Sequence, residues 1–238
     1  MQKRRQRLAT AAAGISGVAV ILLGALISAL AYEGRNGQAY RFWNHFVSEL
    51  GEVGVARLAW VFNAGLILGG VCIVIFMIGL ARLLPGVFRY IFAVAGLATG
   101  ISGTLVGVFP MNRLQPHIQV AMQFFNMGLL SMTLFSLYVL LARQRAFPRW
   151  FVIPGLLATV SFAAFLYFPT PGDISGGLPT TQALIITNRP NVWWLAIFEW
   201  AAVGAVLGWV LLVSLYLWVE QGQTTKVSRG ACLSEYVR

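Results

Sequence analysis

The chain has 238 residues, 58% of them apolar and only 10% charged, with 17 Lys and Arg against 7 Asp and Glu for a net charge of +10. A soluble domain carries about 25% charged residues, so this composition excludes a soluble enzyme, a disordered tail and a disulfide-stapled secreted domain. The positive balance is no nucleic-acid footprint either, because no water-facing stretch is long enough to gather Lys and Arg on one surface. What remains is a polytopic membrane protein.

A helix needs about 20 apolar residues to cross a hydrocarbon core of about 30 Å. Six segments qualify, at about 8–32, 60–80, 90–109, 118–141, 150–168 and 192–219. The runs are continuously apolar rather than alternating, which reads as helices and not barrel strands. The first begins MQKRRQR and ends near Ala29-Leu30-Ala31, like a signal peptide. Its apolar run exceeds the roughly 7–15 residues of a signal core, so an uncleaved anchor is expected.

Between the first two spans, Phe42, Trp43, Phe46, Val47 and Leu50 alternate at helical spacing with Arg41, Asn44, His45, Ser48, Glu49 and Glu52. That pattern predicts a short amphipathic helix over about 40–50, lying in the outer interface and ended by Gly51 and Gly54. His45 and Glu49 share its polar face with Ser48 beside them. Ser, His and carboxylate invite a hydrolase reading, but such triads assemble from separate elements and are judged by geometry. A metal reading would join His45 and Glu49 to His117. Two histidines without a signature spacing do not support it, and neither a metal nor a cofactor is expected.

Phe62-Asn63-Ala64-Gly65-Leu66 opens the second span, and Phe125-Asn126-Met127-Gly128-Leu129 echoes it in the fourth. Pro85 and Pro148 keep the same offset. Gly96-Leu97 and Phe109-Pro110 reappear as Gly155-Leu156 and Phe168-Pro169. The pattern suggests a tandem two-helix repeat. Phe198-Glu199 extends it to the sixth span, so Asn63, Asn126 and Glu199 are expected at one depth, about 8–12 Å inside the outer boundary. Glu199 is the only ionisable residue well inside a span, where a carboxylate costs about 2.5–3.5 kcal/mol. Arg113 and His117, in the loop above, are placed to reach it. The third outer loop, about 169–192, is rich in Pro and Gly and reads as an irregular connector or a lid.

Loop charges orient the chain. Lys3, Arg4, Arg5, Arg7, Arg82, Arg89, Arg143, Arg145, Arg149, Lys226, Arg229 and Arg238 fall on the side of the termini, and Arg35, Arg41, Arg57, Arg113 and Arg189 on the other. Both termini are therefore expected in the cytoplasm, in a plasma-membrane protein. Cys72 and Cys232 lie at different levels and no disulfide is expected. Gly65-x-x-x-Gly69, Gly96-x-x-x-Gly100, Gly103-x-x-x-Gly107 and Gly204-x-x-x-Gly208 are close-approach motifs, for a compact bundle or for contact with a second copy or another membrane protein.

Several motifs together carry a resemblance. Phe46-Val47-Ser48-Glu49-Leu50-Gly51, Phe62-Asn63, Gly107-Val108-Phe109-Pro110 and His117 resemble the "domain of unknown function 998" family of bacterial and archaeal six-helix membrane proteins. The likeness runs from about Trp43 to Leu141 and more weakly to Val219. It implies a fold type and the relevance of Ser48, Glu49, Asn63 and His117, but no reaction. Where the family pattern places an Asp after Phe-Pro, this chain has Met111-Asn112, which weakens any acid–His mechanism in that loop.

The expectation is a six-helix bundle, N-in and C-in, with a polar pocket of Asn63, Asn126 and Glu199 in its outer half. The 40–50 helix, Arg113 and His117 would roof it. It would bind a lipid-like or small amphiphilic ligand from the outer leaflet, membrane lipids being the expected partners and nucleic acid excluded. The alternatives are a membrane-embedded lipid hydrolase or transferase using His45, Ser48, Glu49 and His117, and a non-catalytic accessory subunit.

Overall fold

The computed structural model describes residues 2–35, 37–142, 146–168 and 189–235, with side chains described as far as Glu220. Its helices are α1 (Gln2–Leu30), α2 (Ala59–Leu83), α3 (Phe88–Val108), α4 (Leu114–Leu141), α5 (Val152–Tyr167) and α6 (Trp194–Glu235). Two short 3-10 helices, Val47–Gly51 and Arg149–Phe151, precede α2 and α5, and no strand occurs among the described residues. Among the described residues six helices are long and apolar enough to cross a membrane. The connector expected at 169–192 lies outside the described residues as far as residue 188.

Local chemistry sets the helix ends. Pro116 and Pro154 stand in the first turns of α4 and α5, where a backbone N–H has no helical partner to lose. Pro85 stops α2, and Gly86 takes a φ of +57° to turn the chain into α3. α1 starts earlier than hydropathy alone indicates, because Lys and Arg are good helix formers and extend the helix past the apolar run.

The helices form a ring. Each packs on its neighbours in sequence, and α6 returns to close against α1. The most extensive seam is between α1 and α2. A Cβ on Gly24 would stand 3.3 Å from the Gly65 Cα, and one on Gly69 would stand 2.8 Å from the Gly17 carbonyl oxygen. Only glycine lets two helix backbones come this close. On α6, by contrast, a Cβ at Gly204 or Gly208 would meet nothing within 4 Å.

Every helix shows lipid an apolar face, as Leu26, Leu68, Val94, Leu140, Val160 and Leu215 do in turn. Inside, the end of the ring that carries the chain termini is plugged by aromatics. Trp209 lies edge-on to Phe76 and Phe135, at 6.0 and 4.8 Å between ring centroids, and Phe92 is 6.3 Å from Phe135. Five hydroxyls within α3, α4 and α5 are satisfied locally. Thr99, Thr104, Ser131, Ser136 and Ser161 each donate to the carbonyl four residues back, so they need no water.

At the opposite end, which carries the α1–α2 connection and is called the loop end below, the ring encloses a cavity of about 110 Å³. The residues matched in the sequence echo share burial at Phe62 and Phe125 and at Gly65 and Gly128, but part company at Asn63 and Asn126.

Candidate functional site

The α1–α2 connection is the roof of that cavity, and here the structure corrects the sequence reading. Residues 40–50 do not form an amphipathic helix lying in the interface. Residues 42–44 turn, and only Val47–Gly51 is helical, as one 3-10 turn. Nor does the segment have one wet face, since Phe46, Val47 and Leu50 are buried on the bundle. Asn44, His45, Glu49 and Glu52 are buried, while Phe42 and Trp43 are exposed. The polar residues are turned into the protein as well, where Glu49 and Glu52 find arginine partners.

Glu49 makes the most of these bonds. Its Oε1 accepts the Phe46 N–H at 2.8 Å, the side-chain half of a capping box that fixes the start of the 3-10 turn. Both Arg189 guanidinium nitrogens donate to it, at 2.8 and 2.7 Å, and the Tyr32 hydroxyl lies 3.3 Å from Oε2. Burial alone pulls the Arg189 guanidinium down, but the hydrogen bonds and charge of Glu49 outweigh it and hold it above its ordinary value. Arg189 also donates to the Asn44 carbonyl, and the Trp193 N–H donates to the Trp43 carbonyl at 2.8 Å. The chain entering α6 is thus clasped to the roof.

His45 lies inside a cage of rings, with centroids 5.4 Å from Tyr32 and 5.1 Å from Tyr40. Its Nδ1 is 3.2 Å from both the amide nitrogen and the carbonyl oxygen of Arg41. Its Nε2 is buried with no hydrogen-bond partner among the described residues. Burial holds the imidazole below its ordinary value, against the pull of the Glu49 charge. Burial and the charge of Glu49 raise the Tyr32 phenol, and burial and the charge of Glu199 raise Tyr40. Both tyrosines stay neutral donors. Tyr40 donates to the Phe46 carbonyl at 2.9 Å and accepts from Trp200 Nε1 at 2.9 Å.

Beneath the roof, Glu199 reaches up from α6. Its Oε2 accepts the Val47 N–H at 2.6 Å, and Ser48 adds bonds from its hydroxyl and its amide. The two amides are unpaired donors at the start of the 3-10 turn, so a carboxylate from another helix caps it. Asn63 holds the other end, its amide donating to the Gly51 carbonyl at 2.9 Å. The roof is therefore pinned at both ends by the polar residues that the spans could least easily hide.

The cavity below is lined by α1, α2, α3, α4 and α6, through residues such as Ile21, Phe62, Gly103, Phe124 and Val203. Polar groups gather at its roof: Ser48, His117, Glu199 and the Trp200 ring. His117 Nδ1 is 2.8 Å from the Phe109 carbonyl oxygen, which can only accept. In the neutral ring Nδ1 thus carries the proton and Nε2 is left as an acceptor.

Five of the eight residues expected at the site fall at the cavity or pin its roof: Ser48, Glu49, Asn63, His117 and Glu199. His45 sits above it in the tyrosine cage. Two do not belong. Asn126 is exposed on α4, its amide donating to the Met122 carbonyl four residues back at 2.7 Å. That local bond lets it face outward, so Asn63, Asn126 and Glu199 do not meet. Arg113 is exposed at the start of α4 and roofs nothing.

The sequence reading missed Arg189, Tyr32 and Trp200. The signal for Arg189 was the near balance of charge at the loop end, where acids and arginines occur in similar number. Among the described residues no three His, Cys, Asp or Glu side chains are grouped to hold a metal.

A ring of six lipid-faced helices around a roofed cavity defines a polytopic α-helical membrane protein. Residues 15–216 match the family described as "Protein of unknown function (DUF998)", and the chain belongs to that family. The match extends well beyond the stretch on which the motifs were read. No curated protein and no solved structure matches the chain.

Proposed function

We propose that the protein binds a lipid-like, single-chain amphiphile in the roofed cavity, its tail between the helices and its head at Ser48, His117, Glu199 and Trp200. The division of the cavity carries this reading. Its length is apolar, apart from Thr99, whose hydroxyl is engaged by Ala95 and Ser131, and the other polar groups meet at the roof. Sites of this composition take apolar ligands and orient them with a few polar atoms. Leu22, which lines the cavity, is itself half-exposed to lipid, and entry is placed beside it.

Binding fits the geometry better than hydrolysis does. The Ser48 hydroxyl bonds Glu199, His45 Nδ1 faces the Arg41 backbone, and the Glu49 oxygens serve Arg189, Phe46 and Tyr32. The basic residues on the side of the termini support a plasma-membrane orientation with both termini cytoplasmic and the cavity in the outer leaflet. A reporter fused to the C-terminus checks that orientation. For the ligand, the protein is purified in mild detergent and its retained lipids are identified by mass spectrometry. Ala121→Phe, which fills the cavity from α4, is expected to abolish retention of the bound species. Equal retention by both proteins would overturn the reading.

A further inference from the structure

Of the carboxylates whose side chains are described, all but one have an arginine. Glu49 holds Arg189, Glu52 holds Arg35, Glu33 lies 3.6 Å from Arg57, and at the other end of the bundle Glu220 holds Arg7. Glu199 has no cation among the described residues. Its donors, the Val47 and Ser48 amides and the Ser48 hydroxyl, are neutral. It is also the carboxylate that lines the cavity.

The rest of the roof has the same character. His117 offers Nε2 as an acceptor, and the Ser48 proton is engaged by Glu199, leaving its lone pairs. The Trp200 ring stands next to Glu199 on the cavity wall, and a ring face attracts cations. No lysine or arginine lines the cavity. An anionic head would therefore meet a carboxylate in a medium of low dielectric with nothing to balance it. A cationic donor would meet acceptors, an aromatic face and a buried carboxyl group that has no other cation to hold it ionised.

We propose that the cavity selects amphiphiles with an ammonium head, which Glu199 neutralises beside Trp200 and His117 while the chain runs toward Met77 and Val210. This rests on the reading that the cavity binds an amphiphile, and it adds the sign of the head.

The test uses the full chain in phosphatidylcholine nanodiscs at neutral pH. Equilibrium binding of radiolabelled dodecylamine, dodecanol and dodecanoate is measured and corrected for empty nanodiscs. The expected order is amine, then alcohol, then carboxylate, with about tenfold between the first and the last, the worth of one charge-assisted contact. Glu199→Gln keeps an acceptor oxygen for the roof but removes the charge, and should bring amine and alcohol within about threefold of each other. If that variant does not fold, the order in the native protein decides alone. Dodecanoate binding as tightly as dodecylamine would overturn the ammonium proposal and leave the amphiphile reading standing. Failure of all three probes to bind would overturn both.

Discussion

Arg189 and Glu49 face each other with both guanidinium nitrogens on both carboxylate oxygens, across 140 residues of chain. The pair is largely buried, at 20% and 6% side-chain exposure. It ties the entry of α6 to the roof, beside the cavity. Removing one partner leaves the other charged and buried, which costs about 3 kcal/mol. Arg189→Ala and Glu49→Ala should each lower the thermal unfolding midpoint of the detergent-solubilised protein. Arg189→Lys should recover only part of the loss, because an ammonium cannot span two oxygens in a fork. Full recovery with lysine would mean that charge alone, without the paired geometry, holds the segment.

His45 gives the roof a dependence on pH. Burial keeps its folded-state value below 6.5, opposed by the Glu49 charge and the Arg41 backbone bond and helped by the Arg189 charge. A histidine lowered in this way favours the folded state when neutral. Its contribution is complete above the unfolded value near 6.5 and is lost as pH falls from there through the lowered value. The unfolding midpoint should therefore drop as the pH is lowered from about 7 into the range below 6.5. His45→Phe keeps a ring among Tyr32 and Tyr40 and should show a flatter profile over that window. The readout is the slope. An unchanged slope in the variant would place the titration elsewhere.

Asn63 and Asn126 occupy matching positions in the sequence echo and do different work. The Asn63 amide bonds a carbonyl of the roof, whereas Asn126 bonds its own helix and faces outward. Asn63→Leu should cost about 1–3 kcal/mol, because it leaves the Gly51 carbonyl buried without its donor. Asn126→Leu should stay within about 0.5 kcal/mol of the parent. Unfolding of the two variants side by side measures this contrast, and equal losses would contradict the placement of Asn126.

The spans were legible because a hydrocarbon core leaves no freedom in length or polarity. Six apolar runs can hardly be anything but six helices, and their ends follow from Pro116, Pro154 and the Pro85-Gly86 turn. The burial of Glu199 was legible for the same reason, since a carboxylate in a span must find donors. The roof was not legible. Spacings of three and four over 40–52 indicate a helix with one wet face, not a turn buried on both sides. That depended on Arg189 and Glu199, brought there by ring closure from far along the chain, and on Tyr32 at the end of α1. Likewise, the echo between α2 and α4 carried no information on which way each asparagine points, because that depends on the place of each helix in the ring.

The ring has a consequence for the order in which the protein is made. Each helix touches the one synthesised just before it, so hairpin after hairpin can pack as the chain is inserted, with little loop entropy to overcome. Closure and roofing are different. The seam between α1 and α6, the Glu49 clasp and the Glu199 cap all wait for the last span, and the Val47 amide bonds a carboxylate 152 residues further on. Until α6 arrives, the barrel of helices stands open along one side, its future interior in direct contact with surrounding lipid. The cavity is thus walled in by a single late step, when α6 takes the place that lipid filled along the open side.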